Sequence, residues 1–167
     1  QHVFQHHHDR RMKKQSAVPS RYAWMGTVHG EGGKIPRFWT LTTELAWILG
    51  FYCAEGSATD LLTKSGSRKC IISFGSQDRF VIERVKNYFD FMLGADLKII
   101  TSFDKRINKE MFYYRIQRIS LVALLLYGFG CGKGCSGKKV PSFIYSSEDK
   151  IRRAFLEGYL IGDGTGE

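Results

Sequence analysis

Ile48-Leu49-Gly50-Phe51-Tyr52-Cys53-Ala54-Glu55-Gly56 and Leu156-Glu157-Gly158-Tyr159-Leu160-Ile161-Gly162-Asp163-Gly164 align at one constant spacing, and each ends in a carboxylate followed by glycine. The register matches positions 50 and 158, 54 and 162, and 55 and 163, and one turn upstream it matches Ala46 with Ala154. Each copy therefore carries small residues four apart, Ala46, Gly50 and Ala54 in the first and Ala154, Gly158 and Gly162 in the second. On a helix such residues form one nearly flat stripe, and two flat stripes let helix backbones approach closely. A side chain just beyond each stripe then falls beside its counterpart. Here those side chains are Glu55 and Asp163.

Outward from the first copy, Thr42 is placed to cap a helix that Glu55-Gly56 ends. Two strand patterns follow, 58–63 and 69–74, around Lys64-Ser65-Gly66-Ser67 as a hairpin turn. Apolar residues at helical spacing predict a second helix over 78–93, closed by Gly94. Strands are expected at 97–103 and 111–119 around a charged loop, and Ser120 is placed to cap a short helix reaching Tyr127. A loop rich in glycine and lysine, 128–139, leads to the second copy, for which Ser146-Ser147-Glu148-Asp149 offers a capping-box-like start.

An α+β fold follows, with the order αββαββα and then a repeat of the first helix. The domain reading is an irregular lead-in over 1–40, one complete half-unit over 41–145, and the opening helix of a second over 146–167.

Both segments resemble the signature of the LAGLIDADG homing endonucleases, a helix of this form ending in an acidic residue and glycine. The resemblance runs from about residue 41 onward. It implies that the second motif helix packs on the first, and that Glu55 and Asp163 hold Mg2+ or another divalent cation and are catalytic. The stretch Gly137-Lys138-Lys139-Val140-Pro141 resembles the lysine block before the second motif in intein-borne members, so Lys138 is the implied active-site lysine. The resemblance further implies a sheet laid along double-stranded DNA. Arg68, Lys69, Lys98, Lys105, Arg106, Arg115, Gln117 and Arg118 fall on or beside the strands as DNA contacts. The lead-in ending Ala17-Val18-Pro19-Ser20-Arg21 looks like the close of an intein splicing segment. An RNA maturase, or a DNA-binding protein without cleavage, is an alternative on the same scaffold.

The chemistry agrees with that implication. Phosphodiester hydrolysis needs an activated water and relief of negative charge, which hard cations held by carboxylates supply. Two acids side by side repel, so the pair is costly without a cation.

Composition bounds the setting. The 167 residues are 43% hydrophobic and 25% charged, which suits a globular chain, and the net charge of +9 favours a polyanionic partner. No apolar run is long enough for a membrane helix and no signal-peptide core is present, so an intracellular, non-secreted setting is expected, whether cytoplasmic, nucleoid or organellar. Cys53, Cys70, Cys131 and Cys135 are read as free thiols, because no second ligand pair accompanies Cys131-Gly-Lys-Gly-Cys135. The run His6-His7-His8 lies among basic residues and reads as a tail or the remnant of an upstream domain.

Overall fold

Thr42 opens the first motif helix by accepting a hydrogen bond from the Leu45 amide at 3.1 Å, which satisfies one donor that the first turn leaves without a partner. The computed structural model describes residues 22–24, 34–36, 38–62, 64, 66 and 68–163. The histidine run, residues 17–21, residues 65 and 67 of the expected turn, and Gly164 lie outside the described residues.

In chain order the elements are β1 (Tyr22–Trp24), β2 (Lys34–Pro36), α1 (Thr43–Glu55), β3 (Ser57–Leu62), β4 (Arg68–Ser76) and α2 (Arg79–Leu93). Then come β5 (Ile100–Asp104), β6 (Lys109–Ile116), α3 (Ile119–Ala123), a π-helical turn (Leu124–Gly128), α4 (Ser142–Tyr145) and α5 (Asp149–Asp163). From α1 to α3 this is the αββαββα order; β1 and β2 precede it, and the π-helical turn and α4 lie between it and the repeated helix α5.

Strands β3 to β6 form an antiparallel sheet in the order β3-β4-β6-β5. Its register sets Ile72 opposite Ile116 and Phe74 opposite Tyr114, and all four are fully buried beneath the helices. Strand alternation sends Ser73 and Arg115, also opposite one another, to the other face.

Helix α1 is buried continuously from Leu45 to Tyr52, because the sheet lies on one side of it and α5 on another. The Phe51 ring stacks on Phe74, and the Phe74 ring meets Phe89 of α2. Asp78 caps α2 by accepting from the Phe80 amide at 2.8 Å, and Gly94 ends it in the left-handed region at φ 57°. Arg84 of α2 donates to both carboxylate oxygens of Glu44 at 2.8 Å and lies 3.9 Å from the Trp47 ring centre. It also reaches Glu157 at 3.8 Å, so one guanidinium ties α2 to both motif helices.

Several local expectations change. The lead-in is not irregular throughout, since Tyr22–Trp24 pairs antiparallel with Lys34–Pro36 and Ile35 enters the core. β5 begins at Ile100 instead of 97, because the Asp90 carboxylate takes the Leu97 amide at 3.3 Å and holds that stretch to α2. β6 stops at Ile116, and Arg118, not Ser120, stands at the start of α3; Ser120 is buried inside it. The capping box before α5 does not form, because Ser146 and Ser147 both donate back to the Phe143 carbonyl.

Candidate active site

The two motif helices run parallel and meet at their glycines. A Cβ on Gly50 would lie 1.9 Å from the Phe155 carbonyl oxygen, and one on Gly158 would lie 1.9 Å from the Trp47 carbonyl oxygen. These contacts are copies of each other in the repeat register, since Trp47 corresponds to Phe155 and Gly50 to Gly158. The helices cross about a local two-fold axis, and only glycine admits backbone this near. Toward the C-terminal ends, a Cβ on Gly162 would meet the Ala54 Cβ at 2.5 Å and the Glu55 Cγ at 3.4 Å. Ala46 is fully buried and Ala154 packs against the core.

That geometry brings Glu55 and Asp163 to one end of the crossing. Both are exposed, and among the described residues neither forms an ion pair. No cluster of three or more metal-ligating side chains occurs among the described residues. Two carboxylates that accept a hard cation therefore leave most of its coordination to oxygen ligands from elsewhere.

Lys138 reaches the same end from the 128–139 loop. Its ammonium donates to the Ala54 carbonyl at 2.8 Å and is half-buried. Burial lowers its pKa, opposed by the negative ends of Cys53, Glu55 and Cys135. One of the three ammonium protons is committed to Ala54, which leaves others for a ligand.

The loop is fastened to the last turn of α1 by residues that the sequence did not single out. The Tyr52 hydroxyl donates to the Gly132 carbonyl at 2.8 Å, and the Cys53 thiol donates to the Lys139 carbonyl at 3.4 Å. Lys139 in turn donates its amide to the Cys131 carbonyl at 2.8 Å. Gly132 sits at φ 68°, where a Cβ would collide with the Gly137 carbonyl, so the loop closes tightly on itself. All four cysteines are free thiols. The Cys53 thiol is made more acidic, first by its hydrogen bond with Cys131, and the buried Cys131 thiol is pushed up.

The expected DNA contacts do not all lie on one face of the sheet. Lys69 and Arg115 share the register of the face away from the helices and are exposed; Gln117 is exposed just past the end of β6, and Lys98 is exposed just before β5. The Arg115 guanidinium lies 5.5 Å from the Tyr113 ring centre on that face. Lys105 and Arg106 are exposed in the β5–β6 turn, and Arg106 is paired with Asp104 at 2.7 Å. That pairing holds the Asp104 carboxyl down to about 2. Arg118 is half-buried just past the end of β6, and its guanidinium donates to the Leu93 carbonyl at the end of α2 at 3.4 Å. Arg68 pairs with Leu62 at the sheet's end, and its side chain lies outside the described residues. No helix among the described residues is long and apolar enough to cross a membrane.

No protein-family model matches the chain. Solved structures of the homing endonuclease I-DmoI do. The complex of I-DmoI with DNA and Mn superimposes at a TM-score of 0.51, with 13% identity, over 74% of this chain and 63% of that one. The complex with DNA and Ca gives 0.52, with 12% identity, over 75% and 60%. The chain has the LAGLIDADG homing-endonuclease fold.

Sequence relatives of this LAGLIDADG unit have other names. It is 27% identical over 140 residues to a DNA polymerase of Thermococcus sp. (strain GE8), and 31% over 120 residues to a DNA polymerase of Thermococcus litoralis. It is also 28% identical over 138 residues to the replication factor C small subunit of Methanocaldococcus jannaschii. These alignments cover 84%, 70% and 80% of the chain, but the chain spans only 7%, 6% and 7% of those relatives.

Proposed function

We propose that this chain is the first half, with the second motif helix, of a site-specific, divalent-metal-dependent double-strand DNA endonuclease carried by an intein. One observation carries the catalytic reading: two exposed carboxylates, Glu55 and Asp163, end a glycine-tight crossing beside the half-buried ammonium of Lys138. The I-DmoI complexes with DNA and with Mn or Ca support DNA as substrate and a divalent cation as cofactor. Matches to a DNA polymerase and to a replication factor subunit, each over a small fraction of the relative, support a segment inserted in unrelated hosts.

The residues present fit a hard cation, for they offer, at an exposed site, carboxylate oxygens that form no ion pair among the described residues. When bound, the cation activates water and offsets charge on the scissile phosphate. Glu55 and Asp163 would hold it, with phosphate and water oxygens filling the rest of its coordination. Lys138, fixed by Ala54, directs its remaining N–H bonds toward the phosphate and favours the charge that builds there. The outward face of the sheet, with Lys69 and Arg115, and with Gln117 just past the end of β6, would lie along the duplex, phosphate contacts positioning it and side chains at base edges selecting the site.

The exposed side of α5 supports a second half-unit. Leu156 and Leu160 are 57% and 53% exposed, whereas their repeat counterparts Ile48 and Tyr52 are fully buried. A second sheet over α5 would bury them as the first sheet buries α1. Retention of both acids favours cleavage over a purely DNA-binding role. The test is incubation of the full protein with plasmid bearing the uninterrupted host coding sequence: a magnesium- or manganese-dependent double-strand break is expected, and its loss in Glu55→Gln.

A further inference from the structure

We infer that Tyr52 is a positioning residue for Lys138, holding the lysine's loop with its hydroxyl and the lysine's ammonium with its ring. The inference deepens the endonuclease reading and rests on it for its kinetic part.

Tyr52 is fully buried, and its hydroxyl crosses 80 residues of sequence to donate to Gly132 at 2.8 Å. Gly132 lies in the tight turn from which the chain continues to Lys138. The Lys138 ammonium, after donating to Ala54, sits 5.7 Å from the centre of the Tyr52 ring, within cation–π reach. A long lysine side chain has many rotamers, and a fixed carbonyl together with an aromatic face selects among them before substrate arrives. Neither contact is needed to bury the ring, since Tyr52 already meets Phe74 edge-on in the core. The repeat counterpart Leu160 has no hydroxyl and no ring, so the device belongs to the first half alone.

Tyr52→Phe keeps the ring and removes the hydroxyl. In the full protein, the single-turnover cleavage rate should fall about three- to tenfold, the population change expected from losing one such hydrogen bond. DNA affinity should be unchanged, and the loss should vanish in a Lys138→Ala background. In the isolated chain without DNA, amide exchange over residues 131–139 should rise by about the same factor. Acylation of Lys138 by an N-hydroxysuccinimide ester, followed by mass spectrometry, should also become faster. Unchanged exchange and acylation overturn the inference. Additive losses from Tyr52→Phe and Lys138→Ala overturn it too, because independent effects mean that Tyr52 does not act through the lysine. If the wild type fails to cut, the endonuclease reading falls, and exchange and acylation alone decide whether Tyr52 positions Lys138.

Discussion

Replacing Gly50 with alanine adds one methyl group at the point where the helices touch. The new Cβ would sit 1.9 Å from the Phe155 carbonyl oxygen and 2.9 Å from the Tyr159 amide nitrogen. Both are backbone atoms of a regular helix, so no side chain can swing aside. Normal contact distances require the two axes to separate by roughly 1 Å or more. Separation also loosens the copy of this contact, Gly158 on Trp47, and the packing of Phe155. Overpacking of this kind costs about 3 kcal/mol, and alanine returns about 1 kcal/mol through its helix propensity. The net loss is about 2 kcal/mol, a fall in Tm of about 4–8 °C for a chain of this size. Gly158→Ala should match it, because the two contacts are related by the local axis. The double variant should lose less than the sum, since the first substitution already opens space for the second. Urea titration followed by circular dichroism measures each value. Equal or greater stability in Gly50→Ala would refute the backbone-contact crossing.

Gly162→Ala should cost less, about 1 kcal/mol, because its new methyl meets the side chains of Ala54 and Phe51 instead of backbone, and the same titration checks it. Asp90 is pushed up by burial, but hydrogen bonds from the Lys86 ammonium, the Tyr114 hydroxyl and the Leu97 amide outweigh this and hold it below its ordinary value. Its contribution is therefore present above the unfolded value of about 3.9 and is lost as pH falls through the folded one. Asp90→Asn should lower Tm at pH 7, with the gap to wild type narrowing below about pH 4. DNA affinity should fall steeply with salt; Arg115→Ala should weaken binding, and Arg118→Ala should leave it within about twofold, as read by fluorescence anisotropy. Lys138→Ala should slow cleavage less than Glu55→Gln, because the lysine stabilises charge without anchoring the cation.

The motif helices were legible because a small residue every fourth position has one physical use, close approach, and the repeat spacing supplied the partner. Glu55 and Asp163 followed from the same register. Lys138 came from the lysine block, and the carbonyl its ammonium meets, that of Ala54, lies 84 residues away in the sequence. The strand was expected to run to 119, but it ends at Ile116, and beyond that end the contact of Arg118 with the Leu93 carbonyl has no local signal in the sequence. The Tyr52 clamp was not legible, because nothing local in a buried tyrosine says which carbonyl its hydroxyl meets 80 residues away. Ser146 and Ser147 misled for a related reason: a serine before a helix can cap forward or bond backward, and here the Phe143 carbonyl competes successfully. The β1–β2 ladder escaped because three-residue strands carry too short an alternation to stand out.

Strand cleavage by the full protein, its Glu55→Gln and its Asp163→Asn variants tests the central claim most directly, on one plasmid carrying the uninterrupted host site with magnesium or manganese. The account predicts a double-strand break by the wild type, its abolition by a chelator, and loss of most cleavage in each variant with DNA binding retained. Full cleavage by either variant, or none by a wild type that binds the site with metal present, would contradict it.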